Sequence, residues 1–169
     1  MTEMTEPMPL LAGMTVLDLS LLLPGPMAGW HLAELGARVI KVEPPQGDDA
    51  ARLGVRLPGE DESFIYRRLN ARKEIHRIDL KSEEGRAWFA ARLREADAVL
   101  EGFRPGVLER LGWGFDAMRA LNPRIVLVSI SGYGQDGPMA QAAGHDINYL
   151  SLAGVLHQTG TAGGPPAQC

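Results

Sequence analysis

The sequence predicts an α/β fold built on an open, mainly parallel sheet with helices on both faces. Two observations carry this. Short apolar runs alternate along the chain with segments of helical period, the pattern of strand–helix–strand units. The junctions also carry the chemistry such units need: proline in a first helical turn, serine ahead of another helix, glycine after a helix end. With 169 residues, 45% hydrophobic and 22% charged, the chain has the size and composition of a soluble domain with a real core.

In chain order, residues 1–10 read as a flexible lead, acidic and broken by proline. Met14 to Leu19 reads as a buried strand. Pro26 to Leu35 reads as a helix with proline in its first turn, closed by Gly36. Arg38 to Val42 is a second strand, followed by a Pro/Gly/Asp loop from Pro44 to Gly59. Phe64 to Leu69 reads as a short helix and Glu74 to Leu80 as a strand. Ser82 caps a helix that runs to Glu95, with Glu83 and Glu84 favourably placed in its first turn. Ala98 to Glu101 is a strand, and two short helical pieces follow over Val107–Leu111 and Phe115–Leu121. Arg124 to Ile130 is a strongly apolar strand. A glycine-rich loop then leads to a helix from Asp146 to Leu156.

Composition narrows the function classes. A formal net charge of −4, from 17 basic and 21 acidic residues, argues against a nucleic-acid partner. Cys169 is the one cysteine, so neither a disulfide framework nor a CxxC metal site is expected, and a reducing, cytoplasmic setting fits. The N-terminal segment lacks the basic region and apolar run of a signal peptide. No apolar stretch approaches the roughly 18 residues of a membrane span. A membrane partner is therefore not expected.

In open parallel sheets ligands sit at the carboxyl ends of the strands, so the residues just after each strand are the candidates. Pro24 and Gly25 follow the first strand, where a tight turn into a helix presents free backbone N–H groups. An ordinary strand–helix connection needs the same residues, and spacing alone favours that reading. Lys41, in the second strand, and Arg52, in the loop after it, are charged donors for phosphate; taken alone, the segment is better explained as a strand with one solvated face followed by a polar loop. Gly102, Phe103, Arg104 and Gly106 follow the fourth strand, with an arginine suited to phosphate or a flat ring, or simply exposed on a turn. Gly132, Gly134 and Gly137 spell GxGxxG, but Pro138 and further loop follow where a dinucleotide site needs a helix. His145 stands beside Asp146, which reads as a helix N-cap. The field of that helix disfavours an imidazolium, and a neutral imidazole can take a proton. A histidine held by loop hydrogen bonds, with no chemistry, is the competing reading. His31, His76 and His157 lie in periodic segments and are read as structural.

Several of these segments recur in a known order. Val16-Leu17-Asp18-Leu19, the Gly25-Pro26 turn, Leu35-Gly36-Ala37 and Val39-Ile40-Lys41-Val42-Glu43 are followed by Ile78-Asp79-Leu80-Lys81, Phe103-Arg104-Pro105-Gly106-Val107, Asn122-Pro123-Arg124 and Ser129-Ile130-Ser131-Gly132. From Leu11 onward the chain resembles the class III coenzyme A transferases, the carnitine dehydratase/bile-acid-inducible protein F family. Gly144-His145-Asp146-Ile147-Asn148-Tyr149-Leu150 resembles its α-methylacyl-CoA racemase branch. The transferase branch usually lacks this histidine and uses an aspartate further along.

The resemblance implies a Rossmann-like sheet, with residues 11–169 forming an incomplete N-terminal part of the family's large domain. It implies an acyl-CoA substrate, with coenzyme A present as part of that substrate and without a metal or redox cofactor, and an interlocked homodimer in the full-length form. His145 would be one of two acid/base groups on opposite faces of the thioester α-carbon. Pro24, Gly25, Lys41, Arg52, Gly102, Phe103, Arg104 and Gly106 would line the CoA channel. The second acid/base group, a carboxylate downstream, is expected beyond Cys169, so this chain alone is not expected to racemise. Pro44 stands where the family often carries a phosphate-binding arginine. A CoA transferase and a catalytically inactive CoA-binding fragment are the alternative readings.

Overall fold

The computed structural model describes residues 9–168, so most of the expected lead and Cys169 lie outside the described residues. Two compact units form: one ends at Ile130 and the other runs from Ser131 onward.

The first unit is an open sheet of five parallel strands: β1 (Thr15–Asp18), β2 (Arg38–Glu43), β3 (Glu74–Arg77), β4 (Ala98–Glu101) and β5 (Val126–Ser129). Their spatial order is β3-β2-β1-β4-β5, and every neighbouring pair is parallel. Parallel neighbours require crossovers, and helices supply them. These are α1 (Pro24–Glu34), α2 (Phe64–Asn70), α3 (Glu83–Leu93), α4 (Val107–Arg110) and α5 (Phe115–Leu121).

Strand alternation sends successive side chains to opposite faces, and two cores result. On one face Leu17, Leu19, Ile40, Val42 and Val99 meet Phe89 and Leu93 of α3, Leu108 of α4 and Met118 of α5. Phe89, Leu93 and Met118 are wholly enclosed; burying each such side chain contributes about 1.5–3 kcal/mol. On the other face Val16, Val39 and Leu100 meet Ala33 of α1 and Ala37 just beyond it. Helices therefore cover both faces, as the sequence pattern predicts.

Several boundaries differ from the sequence reading, and three of them bear on the site. Helix α1 begins at Pro24, a turn-half before Pro26, because both prolines fall where a missing N–H costs nothing. Strand β3 stops at Arg77 instead of Leu80. Beyond it Asp79 turns the chain: its side chain accepts the Lys81 N–H at 2.9 Å and its carbonyl accepts the Ser82 hydroxyl at 2.9 Å. In the 44–59 loop, Asp49–Arg52 winds into a short 3-10 turn capped by Asp48.

The second unit holds α6 (Asp146–Leu152), which ends four residues before the expected Leu156; Gly154, at φ 76°, follows, and a 3-10 turn covers Leu156–Gln158. No helix opens at Gly137, consistent with reading GxGxxG there as loop. Among the described residues no helix is long and apolar enough to cross a membrane.

Candidate functional site

Strand order reverses between β1 and β4, because β2 and β3 extend to one side and β5 to the other. The carboxyl ends at such a reversal splay their following loops apart and leave a crevice. The first unit has a cleft of about 140 Å³ at these strand ends. Leu19 and Leu21 from the end of β1, Val42 from β2, Ile78 beyond β3, Phe103 beyond β4 and Leu111 at the end of α4 give it an apolar lining. Asp79 and Lys81, both exposed, line it as well.

Several of the sequence candidates come together here. Gly25 packs on Ser20 so closely that a Cβ would lie 2.1 Å from the Ser20 Cβ, and a Cβ at Gly102 would lie 3.6 Å from the same atom. The turns after β1 and β4 thus meet across Ser20. Pro24 is exposed at the first position of α1. Phe103 is half-buried in the cleft, its N–H donated to Glu101 Oε2 at 2.7 Å. Arg104, the next residue, is exposed and has no ion-pair partner among the described residues. Gly106, at φ 82°, turns the chain into α4.

Lys41 and Arg52 stand elsewhere than expected. The Lys41 side chain is wholly enclosed, its ammonium donating to Asp48 Oδ2 at 3.0 Å and to the Ser20 carbonyl at 2.8 Å. It therefore has no solvent-facing proton to offer a phosphate. The reason is topological: β2 lies inside the sheet and is covered on both faces, so all of Val39 to Glu43 is buried. Arg52 is exposed but pairs with Asp49 and donates to the Gln46 carbonyl at 3.2 Å, within its own loop.

Around Lys41 runs a buried ionic layer. Asp18 accepts from Lys73 at 2.9 Å and from the Ser20 hydroxyl. Burial pulls the Lys73 ammonium below the usual lysine range, with Asp18 opposing the shift. Glu43 accepts the Tyr66 hydroxyl at 2.8 Å, and burial together with that carboxylate pushes the phenol far above its ordinary range. Asp48 also accepts the Leu22 N–H at 3.1 and 3.2 Å. Leu22 has φ 67°, a left-handed conformation that costs a leucine roughly 1–3 kcal/mol.

The 78–81 segment is the part of the cleft that sequence reasoning did not assign. Reading Glu74 to Leu80 as one strand kept Ile78, Asp79 and Leu80 in the sheet. The signal against that was Asp79 three residues ahead of the Ser82 cap.

In the second unit His145 is exposed and is itself the N-cap of α6; Asp146 is the first helical residue, one position later than expected. The His145 N–H donates to Asn148 Oδ1 at 2.8 Å, and its carbonyl accepts from Asn148 N at 2.9 Å. Asp146 accepts from Gln168 at 3.0 Å. The Tyr149 ring, one turn along, lies against Gly132 and Gly144, where a Cβ would come within 2.3 and 2.7 Å of it. These glycines let the loop close onto the helix that carries His145.

The family model of CoA-transferase family III matches residues 11–169. The chain is 39% identical to an acetyl-CoA:oxalate CoA-transferase of Acetobacter aceti, over 99% of this chain and 43% of that protein. It is 38% identical to an alpha-methylacyl-CoA racemase of Homo sapiens, over 92% of this chain and 37% of that protein. A crystal structure of a CAIB/BAIF family protein from Brucella suis superposes with a TM-score of 0.87 at 35% identity, over 94% of this chain and 43% of that one. The chain spans less than half the length of each.

Proposed function

Since the chain belongs to CoA-transferase family III, we propose that it serves an enzyme acting on acyl-CoA thioesters, with its first unit holding the coenzyme A moiety in the strand-end cleft. The observation that carries this is the apolar cleft at the carboxyl ends of β1 to β4, with the exposed Lys81 in its lining. A flat adenine ring suits a wall of Phe103, Ile78 and Leu111. Phosphates suit the exposed Lys81 and Arg104, which flank that wall along the chain.

The reaction we favour is racemisation at the thioester α-carbon. His145 removes the α-proton, the electron pair moves into a thioester enolate, and an acid on the opposite face returns a proton. Backbone N–H groups near the thioester oxygen would stabilise the enolate. Support comes from the Gly144–Leu150 motif, which resembles the racemase branch. The test is deuterium exchange of the α-proton of a 2-methylacyl-CoA in deuterium oxide, with the parent chain and with His145→Ala. Exchange with the parent that disappears in the variant is the expected result. CoA binding without exchange in the parent would overturn the role given to His145.

A transferase reading has its own support, because the Acetobacter aceti relative is named for moving CoA between acetyl-CoA and oxalate. CoA transfer to a dicarboxylate without α-proton exchange would favour it.

A further inference from the structure

Two costly features converge on one exposed residue. Leu22 has φ 67°, in the region L side chains avoid. Its side chain is 49% exposed, so core packing does not account for a leucine there. Glycine would hold the same turn without strain. Beneath it, Lys41 and Asp48 form an ion pair with both side chains fully enclosed. Such a pair is a weak source of stability beside well-packed apolar residues. Hydrogen bonds join the two features: Asp48 accepts the Leu22 N–H, and Lys41 donates to the Ser20 carbonyl while pairing with Asp48. The pair thus grips the turn on both sides of Leu21, which lines the cleft. Backbone strain persists only where its surroundings over-determine it, and it gathers at ligand clamps.

We propose that Lys41 and Asp48 are positioning residues that hold Leu22 left-handed, so that Leu22 and Leu23, each 49% exposed, form an apolar lip for the acyl end of a CoA thioester. The inference rests on the cleft reading given above. The lip offers no polar side chain. The amide-rich pantetheine arm needs hydrogen-bond partners, whereas an acyl chain needs only apolar contact. The acyl end is therefore the part of the ligand the lip fits. Lys41 acts on that ligand through the backbone it fixes and never touches a phosphate.

The test measures calorimetric binding of CoA and of octanoyl-CoA to the parent chain, Leu22→Gly and Leu22→Ala. Thermal unfolding of these is compared with Asp48→Asn and with the Asp48→Asn, Leu22→Gly double variant. Leu22→Gly should melt close to the parent, because relief of strain offsets the greater freedom of glycine in the unfolded chain. It should nevertheless lose about tenfold in affinity for octanoyl-CoA, with CoA affinity unchanged. Leu22→Ala should show the same selective loss. Asp48→Asn should lower the melting temperature less in the Leu22→Gly background, where nothing strained needs holding. Equal losses for both ligands, or no loss for either, would overturn the lip, and those arms stand even if Asp48→Asn does not fold. Equal costs of Asp48→Asn in the two backgrounds would overturn the clamp. A parent chain that binds neither ligand would overturn the cleft reading and the lip with it.

Discussion

At the scale of single residues, burial separates cations that look alike in the sequence. Lys41 and Arg52 both read as phosphate donors, yet one is enclosed against Asp48 and the other is paired within an exposed loop. Removing Lys41 leaves the Asp48 carboxylate buried without its counter-charge, so Lys41→Ala should cost about 3–5 kcal/mol. Arg52→Ala should cost less than about 1 kcal/mol. Urea unfolding of the two variants checks this; similar midpoints would mean that Asp48 finds another partner. The sequence concealed the difference because Val39-Ile40-Lys41-Val42-Glu43 alternates like a strand with one wet face. Only the folded chain, which sets β2 inside the sheet and brings Asp48 onto Lys41 and Tyr66 onto Glu43, encloses both side chains. Phe103 was legible for the opposite reason. An aromatic directly after a strand at a turn has few places to go besides the strand end, and it lines the cleft.

At the scale of elements, local chemistry fixed most of the fold in advance. Proline at the start of α1, Gly36 at φ 99° after it, and the Ser82 hydroxyl accepting the Gly85 N–H at 3.0 Å all do what their sequence positions imply. The reading failed at β3, where the hydrogen bonds of Asp79 outcompeted the sheet and freed 78–81 to line the cleft. That edge strand is tied to β2 by a forked ion pair, with Arg38 Nε and Nη2 on Glu74 at 2.7 and 2.9 Å. The hydrogen bond from Arg38 holds the Glu74 carboxyl below its ordinary range. A carboxyl depressed in the folded state stabilises the fold above its unfolded value of 4.5, and that contribution fades as pH falls through the lower folded value. Glu74→Gln should therefore be less stable than the parent at neutral pH, and the gap should close in acid. Urea midpoints taken down a pH series read the gap directly; a constant gap would mean that the carboxylate charge contributes nothing.

At the scale of the whole molecule, the two units differ in what holds them. Every residue of both cores lies at or before Ile130, whereas no residue of 131–168 is buried. Regions with few buried contacts open at low free energy. The second unit is thus shaped by turns, the Asn148 cap and the Tyr149 ring against its two glycines, and apolar groups such as Ile147, Leu152 and Val155 remain exposed on it. The cleft proposed to hold coenzyme A belongs to the first unit, and His145 belongs to the second. A chain ending at Ile130 should accordingly keep the urea midpoint and the CoA affinity of the parent while losing all α-proton exchange. Loss of CoA affinity on removing 131–169 would mean that the second unit supplies part of the binding surface. Exchange that survived the cut would place the base in the first unit, where Asp79 is the exposed carboxylate lining the cleft, and would take the proton chemistry away from His145 altogether.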